Sequence, residues 1–474
     1  MSWLNFVSFL GLFGLCGIAW IGSENRKQIP WRVILWGIGL QLLFGLLVFQ
    51  IKPTRDFITI LSNNINAILE AAQAGARFVF GNLIVPDPTM PTGPLQAGRW
   101  IARAVTPAYV PVPGDRLSPD NLNVGYILAF RALPLVIFFS ALMALLYNLR
   151  LIQPIVNLFA KIFYKLMGLS GAEALSGSAN IFVGIEAALV VRPFLASMTR
   201  SELCAVMASC YGSIASTVLA IYADFLRPIF PNIVGHLISA SFMAIPACFV
   251  MSKILVPETE VAKTAGVLPT ETNAMEEEPQ NAMESVISGA LDGVKLAVAI
   301  GALLIAILGL LALVNLFFGN LGALSLSQNA ILARIGSFFK NITLQNIAAV
   351  LFMPLTLLTG VSANMGEIWQ VAQLLGQRLL ETEIPAYLKL ANLAQTGAIS
   401  DRALVVISYA LCGFAHLPSV GITMGGFVSL IPSRRKDISV LGWKALWAAT
   451  LATLMISCIA GVFFSGNPTI IGKP

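Results

Sequence analysis

The sequence predicts an all-α integral membrane protein with about eight transmembrane helices, two opposed re-entrant hairpins arranged as inverted repeats, and amphipathic interfacial helices. Of the 474 residues, 57% are hydrophobic and 11% are charged, whereas soluble domains usually carry about 25% charged residues. Two of the apolar stretches are interrupted by glycines and carry carboxylates. The net charge of +6 fits an excess of Lys and Arg in cytoplasmic loops, so it does not indicate nucleic-acid binding.

Two apolar stretches near the N-terminus predict the first two spans, Trp3–Ile21 and Val33–Phe49, because each reaches the roughly 17–25 residues that cross a bilayer. The loop between them carries Arg26, Lys27 and Arg32. Because cytoplasmic loops are enriched in Lys and Arg, we expect this loop on the cytoplasmic side. That orientation places the N-terminus outside.

The next four segments are predicted to lie partly within the membrane and partly at its two surfaces. Asp56–Phe80 has apolar residues at helical spacing and predicts an amphipathic helix along the outer face. Val85–Asp120 is rich in proline and predicts an irregular outer loop. Val124–Tyr147 predicts a third span. Leu151–Leu166, with its lysines on one face, predicts an interfacial helix on the cytoplasmic side.

The stretch Leu175–Met198 predicts the first hairpin. It is apolar, yet it carries Asn180, Glu186 and Arg192, and Gly184 breaks its helical pattern. A carboxylate at membrane depth costs several kcal/mol unless it has a partner, so such a residue usually has a function. The stretch therefore predicts a re-entrant hairpin whose non-helical tip lines a polar cavity.

The C-terminal half repeats this organisation. Asn346–Leu393 predicts a second hairpin with Glu367 and Glu383 as its carboxylates, and YGSIAST at 211–217 resembles LPSVGIT at 417–423. Interrupted segments in corresponding halves are typical of transporters with inverted repeats and a midplane site. The remaining predicted elements are spans at Ser201–Ala223, Leu237–Leu255, Val294–Phe318, Ala403–Leu430 and Val440–Phe464, and a cytoplasmic linker at Pro257–Ser285.

Three roles are open for the carboxylates of the two hairpins. Glu186 and Glu383 would accept hydrogen bonds from a polar solute, since each lies at an interruption. Alternatively they would form structural ion pairs with Arg192, Arg378 or a helix N-terminus. A third use is proton coupling.

Other polar residues predict further contacts. Free carbonyl, amide and hydroxyl oxygens at an unwound tip would suit a hard monovalent cation, or they would only bond neighbouring helices. His416, with Ser419 on the same helical face, would be satisfied locally or would contact a solute. The possible cation cage consists of Asn180 with the backbone near Val183, and Ser213 with the backbone near Ile214.

Several of these motifs resemble the concentrative nucleoside transporter family. SANIFVG at 178–184 and LVVRPF at 189–194 resemble the family's first hairpin motif, and SYALCGFA at 408–415 with SVGI at 419–422 resembles its last conserved block. The resemblance extends over Val124–Phe464. It implies eight transmembrane helices, two opposed hairpins and a homotrimer that imports nucleosides with sodium, or with protons in some bacterial lineages.

The resemblance also implies roles for individual residues. Positions that resemble the sodium site are Asn180, Val183, Ser213 and Ile214. Positions that resemble the solute site are Gly184, Ile185, Glu186, Thr382, Glu383, His416 and Ser419. Glu186 and Glu383 match carboxylates that contact ribose and solute, and Ser419 matches a serine that contacts the sugar.

The solute site departs from the family pattern. Gly184-Ile185-Glu186 is one residue shorter than the family's Gly-Gln-Thr-Glu, and the residues that would face the nucleobase are missing. Because a site built on hydrogen bonds strongly rejects solutes that lack them, these changes predict an altered selectivity. The further replacements are Thr382 for Asn, Ile384 for Phe, His416 for Asn and Pro418 for Ser.

The sequence therefore predicts a sodium-coupled importer of nucleosides or a related polar solute, a homotrimer of the plasma (bacterial inner) membrane with both termini outside, and not an enzyme. The alternatives are the same fold with another solute or with protons, and a membrane sensor that binds solute without transport. The expected organisation is a scaffold at 1–150 and 294–345, a linker at 256–293, and two transport repeats at 151–255 and 346–474.

Overall fold

A computed structural model describes residues 2–81, 84–85, 127–182, 184, 187–269, 281–340 and 342–472, and these residues form helices and their connections. The predicted outer loop at 85–120 lies outside the described residues, apart from Val85. So do residues 270–280 of the predicted linker and three predicted site residues, namely Val183, Ile185 and Glu186.

Six helical segments in the described part of the chain are long and apolar enough to cross a membrane without a break. Their lengths confirm the predicted spans, although the fifth of the six begins earlier than expected and incorporates the end of the predicted linker. They are α1 (Trp3–Ile21), α2 (Trp31–Phe49), α4 with α5 (Leu128–Arg131 and Leu133–Asn148), α12 (Ile233–Leu255), α13 (Ala282–Ala323) and α20 (Arg435–Phe463).

Two amphipathic helices form where the apolar periodicity predicts them. The first, α3 (Lys52–Phe80), covers the predicted outer helix. The second, α6 (Gln153–Ile162), continues into a π-helical turn at Phe163–Met167. Its polar face carries lysine while Val156 and Ala160 are buried, as expected of a helix at the membrane surface.

The first hairpin consists of α7 (Gly171–Ala179), a non-helical tip, and the short helices α8 (Ala187–Val190) and α9 (Arg192–Leu195). α7 begins at a capping box in which the Ser170 hydroxyl accepts from the Glu173 backbone N–H and the Glu173 carboxylate accepts from the Ser170 N–H. The two arms of the hairpin pack against each other, so the chain re-enters on the side from which it came.

The second hairpin consists of α16 (Met365–Leu380) and α17 (Glu383–Gln395), joined by only two residues. The sequence prediction began this hairpin at Asn346, which is wrong. The apolar stretch there forms a separate helix, α15 (Leu344–Leu358), which follows α14 (Ala330–Phe339) and packs along α16. Glu367 consequently lies at the first turn of α16, far along the chain from the hairpin turn, and accepts from the Ser400 N–H.

Two predicted spans are not continuous helices. The span Ser201–Ala223 is divided into α10 (Arg200–Gly212) and α11 (Ser216–Leu226), and the span Ala403–Leu430 into α18 (Asp401–Ala410) and α19 (Leu417–Leu430). In the described part of the chain, six helices are long and apolar enough to cross a membrane, or seven if α14 and α15, which meet at a bend of 58°, form one span. The number of eight therefore stays a prediction. Small residues at the first break, and Gly413 and Pro418 at the second, explain why helical hydrogen bonding stops there.

The two breaks contact each other. A Cβ atom built on Gly413 would lie 2.7 Å from the Gly212 carbonyl oxygen. Gly413 also has φ +146°, a conformation that side chains with a Cβ rarely adopt. Glycine at this position therefore lets the two unwound segments cross in backbone contact.

Charged residues form a network at one end of the helices. Glu24 Oε1 lies 3.0 Å from Arg200 Nη2 and 2.7 Å from Lys444 Nζ, and Arg200 Nη1 lies 3.0 Å from Asp437 Oδ1. The loop after α1 and the turn before α20 are therefore on the same face. The prediction places both on the cytoplasmic side, and the side itself stays a prediction.

Candidate functional site

Both hairpins and the second broken helix border one cavity of about 270 Å³. Most of its lining is apolar and only a few polar groups point into it, which is typical of small-molecule sites. α5 and α13 also contribute to the lining, with Ser140 and Asp292 among their residues. The predicted solute residues on its wall are Gly184, Thr382, Glu383, His416 and Ser419.

Glu383 is the first residue of α17 and is only 2% exposed. Its Oε1 accepts a hydrogen bond from the Tyr222 hydroxyl at 2.5 Å, and its Oε2 lies 2.9 Å from His416 Nε2. The N-terminus of a helix also stabilises a negative charge. Of the alternatives for this residue, the ion pair with Arg378 is wrong, because Arg378 Nη1 donates instead to the Ala410 carbonyl and to Thr453 Oγ1.

His416 uses its two ring nitrogens for different contacts. It caps the N-terminus of α19, where its Nδ1 accepts from the Ser419 backbone N–H at 3.0 Å. Because Nδ1 accepts from the helix, Nε2 is the ring nitrogen that faces Glu383, and it lies 2.9 Å from Oε2. The ring therefore caps α19 and borders the carboxylate at the same time.

Ser419 and Thr382 add two hydroxyl groups. Ser419 Oγ lies 2.5 Å from the Phe414 carbonyl oxygen and 2.6 Å from the His416 carbonyl oxygen, so its proton is used by the backbone and its lone pairs remain for a donor. Thr382 Oγ1 is buried and has no hydrogen-bond partner among the described residues. Buried polar atoms are normally paired, so this hydroxyl is suited to a bound molecule.

Asn180 and Ser213 lie at the C-termini of two short helices. Asn180 caps α7, Ser213 caps α10, and the Asn180 side-chain amide lies 3.6 Å from Cys210 Sγ. Asn180, Ser213 and the following Ile214 are all buried, and Ser213 Oγ has no hydrogen-bond partner among the described residues. The carbonyl ends of helices carry partial negative charge, so these residues fit a small cation.

Sequence analysis missed several contributors to the site. Tyr222, which holds Glu383, and Tyr387, whose ring stacks on Tyr222 with centroids 4.5 Å apart, resemble ordinary core residues in the sequence. Phe414 lines the cavity beside His416. The one sequence feature that could have indicated the two tyrosines was a hydroxyl group in an otherwise apolar helix.

Comparison with known proteins identifies the family. Residues 10–83 match the family model described as "Na+ dependent nucleoside transporter N-terminus", residues 236–461 match "Na+ dependent nucleoside transporter C-terminus", and residues 129–229 match "Nucleoside recognition". An uncharacterized transporter of Haemophilus influenzae is 34% identical over 96% of this chain and 97% of its own length. Sodium/nucleoside cotransporter 1 of Rattus norvegicus is 33% identical over 97% of this chain, which spans 64% of that protein.

Solved structures give the same result. CNTnw in an inward-facing substrate-bound state aligns with a TM-score of 0.78 at 33% identity, covering 97% of this chain and 98% of that one. A doubly substituted CNTnw in an outward-facing state aligns with a TM-score of 0.80 at 33% identity, covering 98% and 99%. The chain therefore belongs to the Na+-dependent nucleoside transporter family, and it is a multi-pass membrane transporter, not an enzyme, that works by alternating access with sodium as its coupling ion.

Proposed function

We propose that the chain imports nucleosides that are bound between the two hairpin tips, with the sugar diol on Glu383. The observation that carries this proposal is that Glu383 lies on the cavity wall with lone pairs left for solute hydroxyls on both oxygens. Its Oε1 accepts one hydrogen bond from Tyr222, and its buried Oε2 lies 2.9 Å from His416 Nε2 with no hydrogen-bond partner among the described residues. Thr382 Oγ1 and Ser419 Oγ are further contacts. By family resemblance, Gly184, Ile185 and Glu186 supply the contacts from the first hairpin, and His416 orients Glu383.

Sodium is proposed to bind between Asn180 and Ser213, with backbone carbonyls at Val183 and Ile214 as further ligands. The two helix C-termini and the buried Ser213 hydroxyl support this assignment. A cation there would order the tip of the first hairpin. Because coupling is reciprocal, sodium would raise solute affinity and solute would raise sodium affinity by the same factor.

For alternating access, the two repeats at 151–255 and 346–474 would move as one body against the scaffold at 1–150 and 294–345. The lining of the cavity supports this division, since it combines hairpin residues from the repeats with residues of α5 and α13. We further propose a homotrimer in the plasma (bacterial inner) membrane with both termini outside. The basic residues of the loop after α1 support this orientation.

Substitution of Glu383→Gln tests the proposed solute site. In proteoliposomes with an inward sodium gradient, we expect the KM for uridine or adenosine to rise at least about tenfold, because an amide accepts at one position only. The preference for ribonucleosides over their 2′- and 3′-deoxy analogues should decrease in parallel.

The matched control is Glu367→Gln, which changes a carboxylate of the same hairpin that bonds to Ser400 outside the cavity. Its KM should equal that of the unmodified protein. Equal KM changes in the two variants, or an unchanged deoxy preference in Glu383→Gln, would contradict the proposed diol contact.

A further inference from the structure

Tyr222 donates the shortest contact that Glu383 receives. Its hydroxyl lies 2.5 Å from Glu383 Oε1, and its side chain is fully buried. The residue belongs to α11, the second half of the first broken helix, and it does not line the cavity itself. It therefore acts on the solute through Glu383.

The position of the Tyr222 ring is fixed by its neighbours. It stacks on Tyr387, with 14° between the ring planes, and the Tyr387 hydroxyl donates to the Ser408 carbonyl at 2.7 Å. Tyr387 lies one turn after Glu383 on α17, and Ser408 lies on α18. The hydroxyl of Tyr222 consequently has one direction in which to donate, and this direction depends on the position of α11.

The same helix begins at the proposed sodium site. Ser213 and Ile214 immediately precede α11, and Tyr222 follows Ser216 by six residues, or about 9 Å along the axis. A cation that fixes the break fixes the start of α11. Since two helical turns behave as a rigid rod, Tyr222 is then held in place against Glu383.

We propose that Tyr222 is a positioning residue that transmits sodium occupancy at the α10–α11 break to the solute carboxylate Glu383. This inference depends on the proposed function, in which Glu383 contacts the solute. Sodium raises solute affinity because it directs the Tyr222 hydroxyl to Oε1, which orients the remaining lone pairs of the carboxylate. No contact between sodium and solute is needed.

Substitution of Tyr222→Phe removes the hydroxyl and keeps the stacked ring. Binding of uridine and adenosine to the purified full-length protein would be measured by calorimetry in sodium and in potassium. In sodium we expect affinity to fall about tenfold, the usual effect of losing a hydrogen bond to a charged group. In potassium we expect little change in affinity. For the Tyr222→Phe variant, the ratio of the solute affinity in sodium to that in potassium should therefore approach one. An equal loss in both salts would overturn the proposal.

Two further variants test whether the effect of Tyr222→Phe is only a general effect on folding. Tyr409→Phe removes another buried tyrosine hydroxyl, which bonds to His236, and should leave the sodium-to-potassium ratio unchanged. Tyr387→Phe releases the neighbouring ring from Ser408, and about a threefold loss in sodium alone is expected because the hydroxyl of Tyr222 remains. If Tyr222→Phe does not fold, an unchanged ratio in Tyr387→Phe would overturn the proposal.

A double-mutant cycle separates this inference from the proposed function. If Tyr222 acts through Glu383, then Tyr222→Phe should have no further effect in the Glu383→Gln background. Full additivity would overturn the inference. If Glu383→Gln alone leaves solute binding unchanged, the proposed contact between Glu383 and the solute is wrong. The two results therefore distinguish a failure of the inference from a failure of the proposed function.

Discussion

The hydrogen bonds of His416 explain how this residue can occupy a position where the family commonly has asparagine. A neutral imidazole and an amide side chain each offer an acceptor and an N–H donor. In His416 the acceptor Nδ1 caps α19, and Nε2 lies 2.9 Å from Glu383 Oε2. The imidazole can therefore cap the helix and face the carboxylate at the cavity wall at the same time.

At the proposed sodium site, Ser213→Ala is expected to weaken the stabilisation by sodium. A ligand that binds only the folded protein raises its melting temperature by mass action, so losing a buried oxygen ligand should shift the sodium titration about tenfold to higher concentration. The measurement is thermal unfolding of purified protein in sodium and in potassium. Ser457→Ala is the control, since its hydroxyl is also buried and without a partner among the described residues but lies on α20. Identical titrations of the two variants would remove Ser213 from the site.

The sequence was informative about some residues and silent about others. Glu383, His416 and Ser419 were singled out because charged and polar side chains are rare in apolar helices, and in the structure all three line one cavity. Tyr222 was missed because a tyrosine in such a helix usually reflects packing alone, and only the folded chain brings its hydroxyl to Glu383. Likewise, the sequence offered Glu186 and Glu383 as partners of Arg378. In the structure its guanidinium donates instead to the Ala410 carbonyl at a helix end, which no sequence pattern revealed.

Among the elements, the two broken helices show that a hydropathy average does not detect a break within an apolar segment. Both breaks lie inside apolar segments, so a hydropathy average reads each segment as one span. The glycines, serines and proline were visible in the sequence, yet small residues also occur in continuous helices that pack closely. The second hairpin was misplaced for a related reason, since α15 is an apolar helix that directly precedes the first arm of the hairpin.

The contact between the breaks predicts the effect of Gly413→Ala. The new Cβ would overlap with the Gly212 carbonyl oxygen and occupy a backbone conformation that costs on the order of 1–3 kcal/mol. We expect a lower melting temperature and weaker sodium binding. Gly397→Ala is a matched control, because Gly397 also has positive φ (+69°) but open space at the Cβ position. Equal destabilisation of the two variants would show that backbone strain alone matters at Gly413.

For the whole molecule, the charged network around Glu24 connects three separate parts of the chain at one face. Partial burial raises the pKa of Glu24, but hydrogen bonds and charge attraction from Lys444 and Arg200 outweigh this effect and hold the pKa below its ordinary value of 4.5. A carboxyl group whose pKa is lowered by folding stabilises the folded state above the unfolded pKa. That contribution is lost as the pH falls through the folded pKa.

Glu24→Gln should therefore lower the melting temperature at pH 7 and pH 5, with a loss of about 1 kcal/mol or less, as is usual for partly exposed ion pairs. The difference from the unmodified protein should shrink as the pH is lowered below 4.5. Thermal unfolding across this pH range is the measurement. Glu70→Gln, which breaks a more exposed pair with Arg227, should have a smaller effect. A difference that persists undiminished at the lowest pH would exclude the proposed electrostatic origin.

The length of α13 has a consequence for the transporter in its lipid. Its 42 residues extend about 63 Å, roughly twice the thickness of a hydrocarbon core, so the helix must slant or project from the bilayer. The same helix supplies Leu296, Ile300 and Leu304 to the cavity wall. Lipids with shorter or longer acyl chains would change its inclination, and with it the shape of the chamber that receives the cargo. The thickness of the membrane is therefore expected to affect the shape of the cavity that binds the solute.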